Sequence, residues 1–428
     1  MALGSSLSGK KNTYEPHIQV EQPIVKYFIK NIDKMCILCY NNSKKGVRGM
    51  RKLRLLICFL IVFCITLCAS ACSLSKHGSD DVYFRYFWWE DDNTYYISGT
   101  NVAGKTLNNN WEMIDVIIPT EYKGHPVTVI GWDAFRSCQI LRSVTIPEGI
   151  TGIHSHTFYD CNNLEKVHLP KSMKKFWGGC FASCNSLKEV TVDPENPWFC
   201  SVDGVVYTKD RKELVFYPPG KTDAEFAIPE GCSMIGRNAF AFCDNLKRII
   251  VPSTVTDISY ESIFAWNGLE GVFVHEDNKI YSSIDGNLYS KDGKKFLRLC
   301  VSAENITLTL PEGVVEIADG AAYCSESLTA IHLPKSLTSI GNSAFSSCNN
   351  LTAITIPENV AFIGNSAFSG CDNLSNAVFA QASGWSVAPQ GGKFVSTTKL
   401  NESQLTSPTT AAEYLSEKYY SWEWHRGD

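Results

Sequence analysis

The chain has 428 residues, with 39 Lys and Arg against 44 Asp and Glu and a net charge of -5. Nucleic-acid recognition needs a basic face, and this balance supplies none, so no nucleic-acid partner is expected. Seventeen cysteines raise the question of a disulfide framework, which their spacing argues against.

Residues 1–49 carry scattered lysines and Cys36 and Cys39 around a short apolar run. They are expected to be an extension ahead of the true start, Met50. From there the chain reads Met50-Arg51-Lys52-Leu53-Arg54, then an apolar run over residues 55–71, closed by Ala69-Ser70-Ala71-Cys72. A basic head and an apolar run ending in small residues make residues 50–72 a signal peptide with a lipobox and Cys72 the lipidated residue. Ala69 stands where such boxes prefer Leu. An uncleaved anchor and plain cleaved secretion are the alternatives. Seventeen apolar residues span roughly 25 Å, short of the ~30 Å hydrocarbon core. Each alternative sends the rest of the chain outside, because the positive charges precede the apolar run. The expected location is the extracellular face of the membrane, lipid-anchored or secreted.

Residues 73–115 are expected to form a polar tether and an N-terminal cap. Tyr83, Phe84, Tyr86, Phe87, Trp88, Trp89, Tyr95 and Tyr96 crowd into strand-like sequence. A stack of repeats leaves an open core and an unpaired edge at its end, and both need cover. An aromatic binding platform is the other reading.

Residues 116–379 repeat one unit. Starting from Ile340, Phe345 lies five residues on, Cys348 eight, Leu351 eleven, Ile354 fourteen and Ile356 sixteen, with Pro357 closing the unit. The starting position recurs at Ile130, Ile153, Phe176, Ile235, Ile258, Ile317 and Ile363. Position eleven is Leu every time. Positions fourteen and sixteen are two apart, the period of a strand with one face buried. Such pairs run Val116/Ile118, Val144/Ile146, Val167/Leu169, Val190/Val192, Phe226/Ile228, Ile249/Val251, Val272/Val274, Leu308/Leu310, Ile331/Leu333, Ile354/Ile356 and Ala377/Phe379. The pattern predicts about eleven short strands in a curved parallel sheet, a leucine-rich repeat solenoid that is α/β or mainly β. Position eight is Cys in six units, Cys138, Cys161, Cys184, Cys243, Cys348 and Cys371. One small, weakly donating side chain at one turn, repeated, points to packing rather than disulfides. No His-Cys cluster with zinc spacing occurs, so no metal or cofactor is expected.

Two steps between strands lengthen from 23 to 36 residues. They share one sequence, Ser201-Val202-Asp203-Gly204 to Lys212 and Ser283-Ile284-Asp285-Gly286 to Lys294. Each predicts a hairpin or small meander with an Asp-Gly turn. Asp203, Asp210, Asp285 and Asp292 are therefore read as turn residues rather than paired catalytic acids. Residues 380–428 are expected to form a C-terminal cap. Within them Ser407 and Pro408 open a helix whose Ala411, Leu415 and Tyr419 share one face. Gly384-Trp385 and residues 393–396 are possible strands, and the aromatic end offers a sugar-stacking strip as its second reading.

The recurring Ile-Gly-x-x-Ala-Phe-x-x-Cys-x-x-Leu-x-x-Val-x-Ile-Pro resembles the BspA-type leucine-rich repeats of bacterial surface proteins, over about residues 95–379. The tail, with Thr-Ala-Ala, Tyr-Leu and paired tyrosines before tryptophan, resembles the close of such proteins. The resemblance implies a surface-exposed binding or adhesion protein with no catalytic centre.

With positions fourteen and sixteen turned inward, thirteen and fifteen line the sheet's outer, concave face. The candidate ligand-binding residues there are Lys166, His168, Glu189, Thr191, Arg248, Ile250, Phe273 and His332. The expected partner is an extracellular protein or glycan, met by a monomer held at the membrane through its N-terminal lipid or anchor. A structural envelope protein without soluble ligand is the alternative. An exported hydrolase is the third reading, opposed by the absence of a phosphate loop, metal box or Gly-x-Ser-x-Gly elbow.

Overall fold

The computed structural model describes residues 74–427 apart from 77–81, 90–92, 103–105, 108–109, 112, 177, 260–261, 263–268, 302–304 and 390–396. The signal segment, Cys72 and residues 393–396 lie outside the described residues.

The eleven expected strands are present. They are Ile114–Ile117 (β1), Leu141–Thr145 (β2), Lys166–Leu169 (β3), Glu189–Val192 (β4), Glu225–Ala227 (β5), Arg248–Val251 (β6), Gly271–Val274 (β7), Ile306–Thr309 (β8), Leu328–His332 (β9), Ala353–Ile356 (β10) and Asn376–Phe379 (β11). All pair in parallel with sequence neighbours, in three segments: β1–β4, β5–β7 and β8–β11. Register follows the repeat, with Val167 opposite Val144 and Val190, and Ile354 opposite Ala377.

Two hairpins sit at the breaks. The first comprises Phe199–Val202, Val205–Thr208 and Glu213–Phe216, and the second Tyr281–Ile284, Asn287–Ser290 and Lys295–Arg298. Their tips turn through Asp203-Gly204 and Asp285-Gly286, both residues of each pair at positive φ, as a two-residue type I′ turn demands. The tip then docks on the last strand of the segment before it. Val190 N–H donates to Gly204 O (3.0 Å) and Val272 N–H to Gly286 O (2.8 Å). In the second copy the two backbones are so close that a Cβ on Gly271 would collide with Gly286 Cα. The third strand of each hairpin starts a second parallel ladder, built from the repeat's starting positions. Glu213 and Leu214 pair with Met234 and Ile235, which pair with Asp257 and Ile258. Lys295 and Phe296 likewise begin the run through Ile317, Ile340 and Ile363.

Between the ladders the core is a file of identical roles. Phe135, Phe158 and Phe181 stack at 5.0 and 5.1 Å, and Phe345 on Phe368 at 5.3 Å. The position-eight thiols donate to the position-five carbonyl of the preceding unit: Cys161 to Phe135 O (3.1 Å), Cys184 to Phe158 O (3.0 Å), Cys348 to Ala322 O (3.1 Å) and Cys371 to Phe345 O (3.0 Å). These cysteines are unpaired and buried, while Cys138 at the start of the file is half-buried. Burial pushes the Cys371 thiol up to about 12 and Cys138 to about 11.

Aromatic clusters cover both ends. The antiparallel pair Val82–Trp89 and Thr94–Val102 joins the second ladder through Ile97 opposite Ile130. It sets Phe84 edge-on to Phe135 and stacks Tyr86 on Tyr122 at 3.8 Å. At the far end Trp422–Arg426 runs antiparallel to the last rung, Phe362–Ile363, and to Trp385–Pro389. Trp385 and Trp424 are fully buried there. Pro408 opens the helix Pro408–Glu413 with Ser407 as its N-cap residue. The Ser407 hydroxyl meets the Thr410 hydroxyl (3.1 Å) rather than a backbone N–H, so the fixed φ of Pro408 carries the start. Ala411 and Leu415 face the core, with Tyr419 half-buried beside them.

Candidate functional site

Alternation decides which side chains are free. Val167 and Leu169 are buried while Lys166 and His168, alternating with them, are exposed, and β10 and β11 repeat that pattern. A strand with period two and a dry core on one side must present the intervening side chains to the other.

On the first segment Lys166 and Glu189 stand opposite one another and form an ion pair (2.9 Å). His168 Nδ1 lies 2.9 Å from Thr191 Oγ1. Two strands earlier, Asp115 accepts from Arg142 and from Ser143 Oγ (2.6 Å). Those hydrogen bonds, Arg142 foremost, hold its carboxyl down at about 2. Ile117, on the same face, is 59% exposed.

On the second segment Arg248 is held from both sides. Its Nε donates to Glu225 Oε2 (2.9 Å), and its guanidinium carbon sits 3.9 Å from the Phe273 ring centroid. Ile250, half-buried, is the register partner of both Ala227 and Phe273. A guanidinium packed on a ring keeps its remaining N–H groups fixed in direction, at a cost in mobility already met in the free protein.

The candidates thus fall into groups. Lys166, His168, Glu189 and Thr191 come together on β3 and β4. Arg248, Ile250 and Phe273 come together on β6 and β7, beyond the first hairpin. His332 lies on the third segment, exposed and opposite Thr309. Glu225 and Asp115 were not among the sequence candidates, although the pairs Phe226/Ile228 and Val116/Ile118 already put them at position thirteen. The units before those strands lack the starting residue, so the count that found the others skipped them.

A separate aromatic surface lies at the turns. Trp132, 62% exposed, stacks on His154 at 3.9 Å. Burial lowers the basicity of His154, and Lys175 adds to it. Arg136 covers the Tyr159 ring (4.7 Å), whose edge meets the exposed Phe242 at 6.0 Å. Nothing in the repeat arithmetic marks these residues, because they occupy variable positions. Among the described residues no group of three or more His, Cys, Asp or Glu could hold a metal ion, and no helix is long and apolar enough to cross a membrane.

Comparison with known proteins finds six copies of the BspA type leucine-rich repeat region, over residues 101–197, 216–291 and 293–410, well over half of the chain. No curated protein matches. Among solved structures the chain is similar to the pneumococcal vaccine antigen PcpA, at 16% identity over 73% of this chain and 82% of that one, with a TM-score of 0.39. It is similar to a leucine-rich repeat protein from Eubacterium ventriosum, at 18% identity over 68% and 93%, with a TM-score of 0.36. A leucine-rich cell surface protein from Faecalibacterium prausnitzii gives 21% identity over 72% and 88%, with a TM-score of 0.34.

Proposed function

Since the chain belongs to the BspA-type leucine-rich repeat family, we propose that it is a non-enzymatic recognition protein of the bacterial cell surface. It binds an extracellular protein or glycan through the outer face of its parallel strands and serves adhesion to host or other cells. The basic head and apolar run over residues 50–72, read as a signal peptide with Cys72 as its lipidation site, support this location.

The observation that carries the reading is the arrangement at Arg248. Oriented by Glu225 and laid on Phe273, with Ile250 alongside, it combines a fixed donor with apolar surface on a rigid sheet. Arginine and aromatic residues in such settings dominate protein–protein binding energy, which favours a protein over a glycan at this patch. The ion pairs of the first segment are solvent-exposed and set partner choice and approach more than affinity.

The test is capture of the chain from residue 73 onward by a panel of immobilised extracellular-matrix proteins and glycans. Arg248→Ala with Phe273→Ala is expected to lower affinity for the captured ligand at least about tenfold, the loss of one hot-spot pair. Undiminished binding by that double variant would remove this patch from the account. Failure of the whole panel would favour an envelope role without a ligand.

A further inference from the structure

The first hairpin builds a cleft that the sheet face does not share. It is an open-sided depression of about 480 Å³ between the hairpin and the start of the second ladder, lined by Trp198, Thr208, Asp210, Lys212, Glu213 and Met234 among others. Trp198 is 40% exposed and yet firmly placed. Its backbone N–H donates to Asn196 Oδ1 (2.8 Å), and its backbone carbonyl accepts from Lys209 N–H (2.7 Å). Asn196 is itself fully buried and spends both amide hydrogens on Pro170 O and Met173 O. A backbone pinned by a buried amide fixes the point from which the indole enters the cleft, which lowers the ordering cost of contact.

The polar groups around the ring are unequal. The lysines are engaged with backbone: Lys209 Nζ donates to Pro194 O (2.8 Å) and Lys212 Nζ to Gly231 O (3.2 Å). Lys174 Nζ lies 5.3 Å from the indole centroid. The carboxylates are less engaged. Asp210 uses Oδ1 for Thr208 Oγ1 and Lys212 N–H, which leaves Oδ2 to accept. Glu213 pairs with no cation among the described residues. Burial first, then Asp210 and Asp257, raises its carboxyl above the usual range.

The second hairpin is an internal control, 82 residues on. Its buried Asn278 repeats all four hydrogen bonds of Asn196. There Ile280 replaces Trp198, while Lys295 and Glu316 replace Glu213 and Met234 and close on each other as an ion pair. The scaffold is kept, and only the first copy carries the ring and the unpaired acid.

We propose that the Trp198 cleft is a binding site for a neutral saccharide. A pyranose packs its C–H face on the indole while its hydroxyls donate to Asp210 and Glu213. A cationic ligand fits less well, because Lys174, Lys209 and Lys212 surround the ring with like charge. This site stands apart from the Arg248 patch and does not rest on it.

Saturation-transfer NMR with chitotriose, cellotriose and maltotriose tests the proposal. At least one of these is expected to bind, to lose about tenfold or more in affinity in Trp198→Ala, and to weaken in Glu213→Gln. Ile280→Ala, at the equivalent place in the other hairpin, is expected to bind as the parent does. Trp198→Phe keeps a stacking ring and is expected to retain most binding, which keeps the test valid if the alanine variant unfolds. No binding of any probe at about 10 mM, a level that reports even millimolar affinity, would overturn the proposal. So would equal binding by Trp198→Ala or Glu213→Gln, or binding of trilysine in place of the sugars.

Discussion

Arg248 and Phe273 belong to neighbouring strands and meet as cation and ring, 3.9 Å from guanidinium carbon to centroid. They are two register places apart: Arg248 lies opposite Gly271 and Ile250 opposite Phe273. A double-mutant cycle on folding stability, using Arg248→Ala and Phe273→Ala, should therefore return a coupling of about 0.5–1 kcal/mol. The corresponding cycle with Glu225 should return less than about 1 kcal/mol, since that pair is exposed.

The buried asparagines should be far more costly to lose. Asn196 and Asn278 each satisfy two carbonyls and two backbone N–H groups beneath a hairpin. Removing the amide strands all four. Asn196→Ala and Asn278→Ala should each lower stability by about 3 kcal/mol or more in urea titration, from unpaired buried groups alone.

The core and the outer face should respond in opposite ways. Phe345→Ala opens a cavity beside Phe368 and should cost about 3–5 kcal/mol. Thr355→Ala, exposed on β10, should stay within about 0.5 kcal/mol. Similar losses at both positions would mean that the two faces are assigned the wrong way round.

Acid should release the Asp115 cluster. Its carboxyl titrates at about 2 in the folded chain, chiefly through Arg142, against an unfolded value of about 3.9. A depressed folded pKa contributes stability above pH ~4 that disappears as pH falls toward ~2. Because the group is solvent-exposed, that contribution is small. Asp115→Asn should flatten this part of the stability–pH curve, and carboxyl NMR titration should place the midpoint well under 3.9.

Thiol labelling should separate the cysteines by burial. Cys324 is exposed and should react quickly with iodoacetamide. Cys161, Cys184, Cys348 and Cys371 donate into the core and should label only on unfolding. Burial also disfavours the attacking thiolate at Cys161, Cys348 and Cys371.

The rungs were legible because Leu-x-x-Val-x-Ile states its own period, and all eleven apolar pairs lie in or beside strands. The Asp-Gly turns were legible for the same local reason. The second ladder was not, since two-residue strands such as Ser339–Ile340 carry no period to read. Nor were the breaks in the outer face, which come from backbone docking of Gly204 on Val190 and Gly286 on Val272. The candidate patch was legible at Arg248 and Phe273, which stand out from strand-like threonines. Glu225 was missed because the preceding hairpin hides the count. Trp198 was missed because its neighbours arrive from 10 to 36 residues away, through folding alone.

Hydroxyl-radical footprinting of the chain with its captured ligand tests the central claim most directly. If the outer face of the strands meets the partner, Phe273 and His168 lose reactivity on binding while Trp132 and Tyr159 at the turns keep theirs. Protection confined to the turns or to the aromatic ends, with Phe273 as reactive as in the free chain, would contradict the account.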